Sequence, residues 1–126
     1  MISDINYEAT HSHPGMSLSS AEGKIELYGR SIPENAIAVY KPIMNWLESY
    51  VVEPKQKTTL NFKIEFFNTS SSKFILQILK KLEELHKQGF EVEINWYYND
   101  EDIKDLAEDY EDLVKMKFNF NEAVLK

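Results

Sequence analysis

Apolar residues along this chain recur with two periods, every second residue and every third or fourth, and the two periods alternate. From Thr58 to Phe67 the period is two. Leu60, Phe62, Ile64 and Phe66 share one predicted face, and Thr59, Asn61, Lys63 and Glu65 share the other. The period then lengthens. Phe74, Ile75, Ile78, Leu79, Leu82 and Leu85 form the stripe of a helix expected from about Ser71 to Gln88, with Gly89 as its C-terminal cap. A second alternating strand follows from Glu91 to Tyr98, with Val92, Ile94 and Trp96 inward and Glu91, Glu93 and Asn95 outward. A third helix is predicted from Glu101 to Val114, burying Ile103, Leu106, Ala107, Tyr110, Leu113 and Val114. Met116 to Phe120 has the composition of a short edge strand.

The first half is less regular. Between residues 7 and 30, Met16/Leu18 and Ile25/Leu27 alternate with polar residues. His13-Pro14-Gly15-Met16 offers Pro and Gly at the centre of a type II turn, and Ser20-Ala21-Glu22-Gly23 offers a second turn. A small antiparallel meander is expected. Ser31-Ile32-Pro33-Glu34-Asn35 then opens a helix with Pro33 in its first turn, where a missing N–H costs nothing. Its predicted stripe is Ile37, Tyr40, Ile43 or Met44, Leu47, Tyr50 and Val51. Pro42 falls inside that helix and predicts either a kink or a helix proper that starts near Lys41. Glu53 to Lys57 is a surface loop.

Strand, helix and strand within about forty residues imply a right-handed crossover and a parallel pair. Both strands keep one polar face, so helices should cover mainly one side of the sheet. The predicted class is α/β, a two-layer sandwich built on a mixed sheet. Its 126 residues fit one domain, 1–126.

Composition changes this picture only by exclusion. With no cysteine there are no disulfides, thiolate nucleophiles or cysteine metal sites. A net charge of −7 argues against nucleic acid. No basic region precedes an apolar run at the start, and no stretch is long and apolar enough to span a bilayer. A cytoplasmic protein with no membrane partner is expected. The acidity is uneven: Asp100 to Asp112 carries most of the excess, with Lys104 its only basic residue.

Few constellations suggest chemistry. His11 and His13 could share a strand face, but no third ligand is spaced with them and His86 lies far along the chain, so no metal site is expected. The Asp100–Glu111 run fails as a calcium loop, because Lys104 and Asp105 stand where a ligand and a glycine are required. It reads as a solvated helix face, or as a docking surface for a basic partner. Asn68-Thr69-Ser70 matches the N-glycosylation pattern, which a cytoplasmic chain does not use. No nucleophile elbow, P-loop or dinucleotide fingerprint occurs, so neither catalysis nor a cofactor is expected.

What remains is Asn68-Thr69-Ser70-Ser71-Ser72-Lys73, where a strand gives way to a helix. One hydroxyl there could cap the helix, a contact worth ~1 kcal/mol. Four in succession exceed that need, and a helix start also suits an anion such as phosphate. Spacing alone leaves capping ahead of a covalent switch.

The arrangement resembles the anti-sigma-factor antagonists of the STAS class and, more closely, the bacterial SiaC-type regulatory phosphoproteins. The matching pieces are Pro33-Glu34-Asn35, Trp46, Asn68-Thr69-Ser70-Ser71, Leu82-Glu83-Glu84 before Gly89, and Trp96-Tyr97-Tyr98. They span residues 7 to 120 in order. Pro42 and the dense acidic run depart from the pattern. The resemblance implies phosphorylation on Thr69, with Ser70 and Ser71 as lesser candidates, and a partner surface of Asn68, Thr69, Ser70, Ser71 and Lys73. It also implies three partners: a serine/threonine kinase, a PP2C-type phosphatase, and a diguanylate cyclase activated by the unphosphorylated form. The competing expectation is a constitutive adaptor in which Thr69 only caps the helix.

Overall fold

The computed structural model describes residues 3–123. The elements run β1 (Ile5–Tyr7), β2 (Gly15–Ser19), β3 (Lys24–Ser31), α1 (Ala36–Tyr50), β4 (Lys57–Phe67), α2 (Thr69–Lys87), β5 (Glu91–Tyr98), α3 (Glu101–Val114) and β6 (Phe118–Glu122). The strands form one six-stranded sheet in sequence order. β1, β2 and β3 pair antiparallel, and β3 to β6 pair parallel. This is the expected mixed α/β sheet.

The single-sided layer follows from handedness. Each parallel step, β3 to β4 to β5 to β6, moves one strand in the same direction through one helix. Right-handed crossovers in one direction put all the connecting helices on the same face. That face holds Leu18, Ile25, Leu60, Phe62, Ile64, Ile94 and Trp96, all buried. Trp96 stacks on Phe62 at 3.8 Å between ring centres. The opposite face is polar and satisfies itself. Asn61, Asn95 and Asn119 occupy matched register positions and bond in series, Asn95 Nδ2 to Asn61 Oδ1 at 2.9 Å and Asn119 Nδ2 to Asn95 Oδ1 at 3.0 Å. Lys57 pairs with Glu93 at 3.0 Å and Lys63 with Glu26 at 3.4 Å.

Several expectations need correction. The turn after β1 closes earlier than His13–Met16, with Thr10 N–H donating to the His13 carbonyl at 2.9 Å. Gly15 is instead a strand residue opposite Tyr28, whose ring would lie 2.2 Å from any Cβ placed there. Helix α1 starts at Ala36 with Asn35 as its cap, so Pro33 lies before the helix and not in its first turn. Pro42 remains inside α1. The carbonyl it leaves without a donor belongs to Ala38, an exposed residue where water can replace the bond. Ile37 is exposed, and Trp46 takes a core position that the predicted stripe omitted. Leu106 and Leu113 are also exposed, because α3 buries only the narrower stripe Ile103, Ala107, Tyr110 and Val114. The last strand begins at Phe118, two residues later than expected.

The most instructive correction is Phe66, predicted inward and found 44% exposed. Along β3 and β4 the register passes from Gly29↔Ile64 to Arg30↔Phe66, which leaves Glu65 without a partner. The extra residue resets the alternation. Gly29, at φ +86°, supplies the left-handed backbone at this shift. Phe67 therefore turns inward and packs edge-on against Phe62 at 6.0 Å. Phe67→Ala should cost ~3–5 kcal/mol of stability in urea unfolding. Phe66→Ala should cost no more than ~0.5 kcal/mol; equal losses would contradict the bulge.

Candidate functional site

The site is built where β4 hands over to α2, beside the end of β3. Helix α2 begins two residues earlier than the apolar stripe implies, and its cap is Asn68. The Asn68 side-chain oxygen accepts the Ser71 N–H at 3.0 Å, and its amide donates to the Pro33 carbonyl at 3.4 Å. The Asn68 backbone N–H donates to the Ser31 carbonyl at 3.0 Å. Thr69 is thus the first helical residue and not the cap. That removes the capping role from the constitutive reading of Thr69.

The four hydroxyls divide sharply. Ser71 is fully buried. Its hydroxyl donates to the Ser31 carbonyl at 3.1 Å and lies 2.8 Å from Ser31 Oγ, which lies 2.6 Å from the Tyr40 hydroxyl. Since Ser71 gives its proton to a carbonyl, Ser31 must donate to Ser71 and Tyr40 to Ser31. Ser71 was expected on the accessible surface as a lesser phosphate acceptor and partner contact; burial withdraws it from both in this conformation. Ser70 is exposed, but its hydroxyl donates to the Asn68 cap oxygen at 3.2 Å. Ser72 donates to the Thr69 carbonyl at 2.7 Å. Thr69 is exposed, and its hydroxyl is engaged with none of the described residues.

The electrostatics favour an anion at Thr69. The first turn of α2 contains no acidic residue, so its backbone N–H groups are not offset by a carboxylate. Lys73 lies one turn on, exposed, with its ammonium 5.8 Å from the Phe74 ring centre. Residues four apart share a helix face, so Lys73 stands on the side of Thr69. Tyr40 stacks on Phe74 at 5.4 Å, and Tyr110 of α3 donates to the Ser72 carbonyl at 3.2 Å. Burial pushes both phenols above their usual range.

The expected surface residues Asn68, Thr69, Ser70 and Lys73 are therefore together, with Ser71 beneath them. Sequence reasoning missed Ser31 and Tyr40. Parity was the available signal: Ser31 continues the inward series Ile25, Leu27, Gly29, and Ser71 stands four residues before Ile75 on the core stripe. His11 and His13 lie exposed between β1 and β2, and His86 is exposed in the last turn of α2. Among the described residues no group of three or more His, Cys, Asp or Glu side chains is placed to hold a metal ion. None of the described helices is long and apolar enough to cross a membrane.

A family model described as SiaC family regulatory phosphoprotein matches residues 7–123. An uncharacterized protein of Pseudomonas aeruginosa (strain UCBPP-PA14) is 30% identical over 111 residues, covering 86% of this chain and 88% of that protein. The crystal structure of apo-SiaC from Pseudomonas aeruginosa superposes with a TM-score of 0.85 at 28% identity, covering 98% of this chain and all of that one. SiaC in the crystal structure of the diguanylate cyclase SiaD in complex with its activator SiaC, from the same species, gives 0.88 at 27% identity over 95% of this chain and all of that one.

Two outcomes follow from these buried hydroxyls. Ser71→Ala should cost about 1–3 kcal/mol in urea unfolding, because Ser31 loses its acceptor, while Ser70→Ala stays within about 0.5 kcal/mol. Tyr40 and Tyr110 favour their neutral forms when folded. Their contribution is complete below pH 10.0, the ordinary phenol value, and is lost as the pH rises through their folded-state values. Urea midpoints measured across the alkaline range should fall, and replacing both tyrosines with Phe should flatten the fall.

Proposed function

Because the chain belongs to the SiaC family of regulatory phosphoproteins, we propose that it is a partner-switching regulator of a diguanylate cyclase, set by reversible phosphorylation of Thr69. The unphosphorylated form binds and activates the cyclase. A serine/threonine kinase adds the phosphate and a PP2C-type phosphatase removes it. The chain itself carries no catalytic role. The observation that carries this reading is the state of the Thr69 hydroxyl: exposed, bonded to none of the described residues, and at a helix start without acidic residues.

The mechanism is electrostatic and local. A phosphate adds ~1.5–2 negative charges at neutral pH. On Thr69 it meets the N-terminal end of α2 and the Lys73 ammonium, so the fold tolerates it. The helix start is held by Asn68 and by the buried Tyr40–Ser31–Ser71 chain, none of which uses the Thr69 hydroxyl. Modification therefore breaks nothing inside the protein. The change falls on the partner, which must desolvate a dianion where it previously covered a neutral alcohol. A penalty of roughly 2.7 kcal/mol already weakens binding about a hundredfold. The surface for this contact is Asn68, Thr69, Ser70 and Lys73.

Intact-mass analysis after incubation with the kinase and Mg-ATP tests the site: wild type should gain one phosphate and Thr69→Ala none. Titration against the cyclase tests the switch. Thr69→Ala should bind and activate like the unmodified protein, and Thr69→Asp should bind at least about tenfold more weakly. Equal binding by Thr69→Asp and Thr69→Ala would favour a constitutive adaptor. Thermal unfolding of the phosphorylated protein should not fall below that of the unmodified one.

A further inference from the structure

We propose that the solvent face of α3 is a second docking surface, fitted to a lysine- or arginine-rich amphipathic helix of a partner protein. It is independent of the Thr69 reading. The inner stripe of α3, Ile103, Ala107, Tyr110 and Val114, already packs on the core. Leu106 and Leu113 form a second apolar line that the fold leaves open, at 41% and 60% exposure. Seven residues separate them, two helical turns or about 10 Å along one side of the helix.

Charge identifies the occupant. From Asp100 to Asp112 there are eight acidic side chains and one basic, which accounts for the whole net charge of −7; the rest of the chain is neutral. Three of the eight belong to the helix start: Asp100 caps the helix, and Glu101 and Asp102 stand in its first turn, where the dipole favours them. Glu111 accepts the Phe118 N–H at 2.7 Å. Asp105, Glu108, Asp109 and Asp112 have no such role. All four are exposed, and no salt bridge among the described residues uses them. Asp105 and Asp109, like Glu108 and Asp112, repel each other at four-residue spacing. The last turn holds no basic residue to answer the dipole. Lys104 is directed to the Tyr98 and Phe120 rings, at 5.6 and 5.9 Å.

Four unanswered carboxylates around two exposed leucines on a helical repeat complement a helix with apolar residues seven apart and cations beside them. A second copy of this chain would set two acidic helices face to face. An anionic bilayer or a nucleic acid would be repelled.

The test uses the full chain, labelled with nitrogen-15, and a leucine–lysine amphipathic peptide of about four helical turns. Amides between Asp102 and Val114 should shift on titration. Leu106→Ser with Leu113→Ser should weaken binding at least about tenfold, and Asp109→Lys, which keeps both leucines, should weaken it too. Thr69→Asp should bind the peptide as wild type does. Unchanged affinity in the leucine variant would overturn the proposal, as would equal binding by a scrambled peptide of the same composition. Shifts centred elsewhere, binding to anionic vesicles, or a dimer that the leucine changes dissolve would also overturn it.

Discussion

The start of α2 is fixed by one buried line of hydroxyls, and the exposure of every residue in its first turn follows from it. Tyr40 donates to Ser31, Ser31 to Ser71, and Ser71 to the Ser31 carbonyl. That carbonyl also accepts the Asn68 N–H, so both of its lone pairs are used. With Ser71 held inward, the helical period turns Thr69, Ser70 and Lys73 outward. A slip of one residue would bury Ser70 or Ser72 with no acceptor aligned and would carry the stripe of Ile75, Ile78, Leu82 and Leu85 off the core. An unsatisfied buried hydroxyl costs about 1–3 kcal/mol, enough to make the alternative phase a minor one.

The edge on which this helix begins is set by topology. Three crossovers stepping the same way place the N-termini of α1, α2 and α3 along one edge of the sheet. Each presents a partial positive charge of roughly half an electron. On α3 the charge is met by Glu101 and Asp102; α1 and α2 have no acidic residue in their first turns. The uncompensated part of the edge is therefore the part that carries Thr69. The Asn68 amide, reaching the Pro33 carbonyl, ties the two uncompensated starts together.

Much of this was legible in the sequence, and what was not has specific causes. Period two and period 3.6 place β4, α2, β5 and α3 and imply the single-sided layer. The same periods cannot see the extra residue at Glu65, because a bulge is a property of two paired strands; hence Phe66 and Phe67 exchange faces. They also overestimate burial on α3, where an apolar residue beside the stripe reads like one on it. At the site, the hydroxyl run is plain, but its division is not. Which serine turns inward depends on Ser31 and Tyr40, 40 and 31 residues away from Ser71 in sequence. Asn68 takes the cap because it immediately precedes the helix, not because the hydroxyls were unable to.

A switch at such a position is read by occlusion and not by rearrangement. A modification that moved the helix would have to break the Ser71 and Asn68 contacts, which lie beneath or beside Thr69 and do not involve its oxygen. A partner that covers Thr69, by contrast, must strip water from whatever the oxygen carries. The free-energy difference between an alcohol and a dianion under that cover is several kcal/mol, while the difference when both stay in water is near zero. The discrimination therefore scales with how completely the partner closes over this edge. A loose encounter would ignore the modification, and only a tightly packed complex could be governed by it.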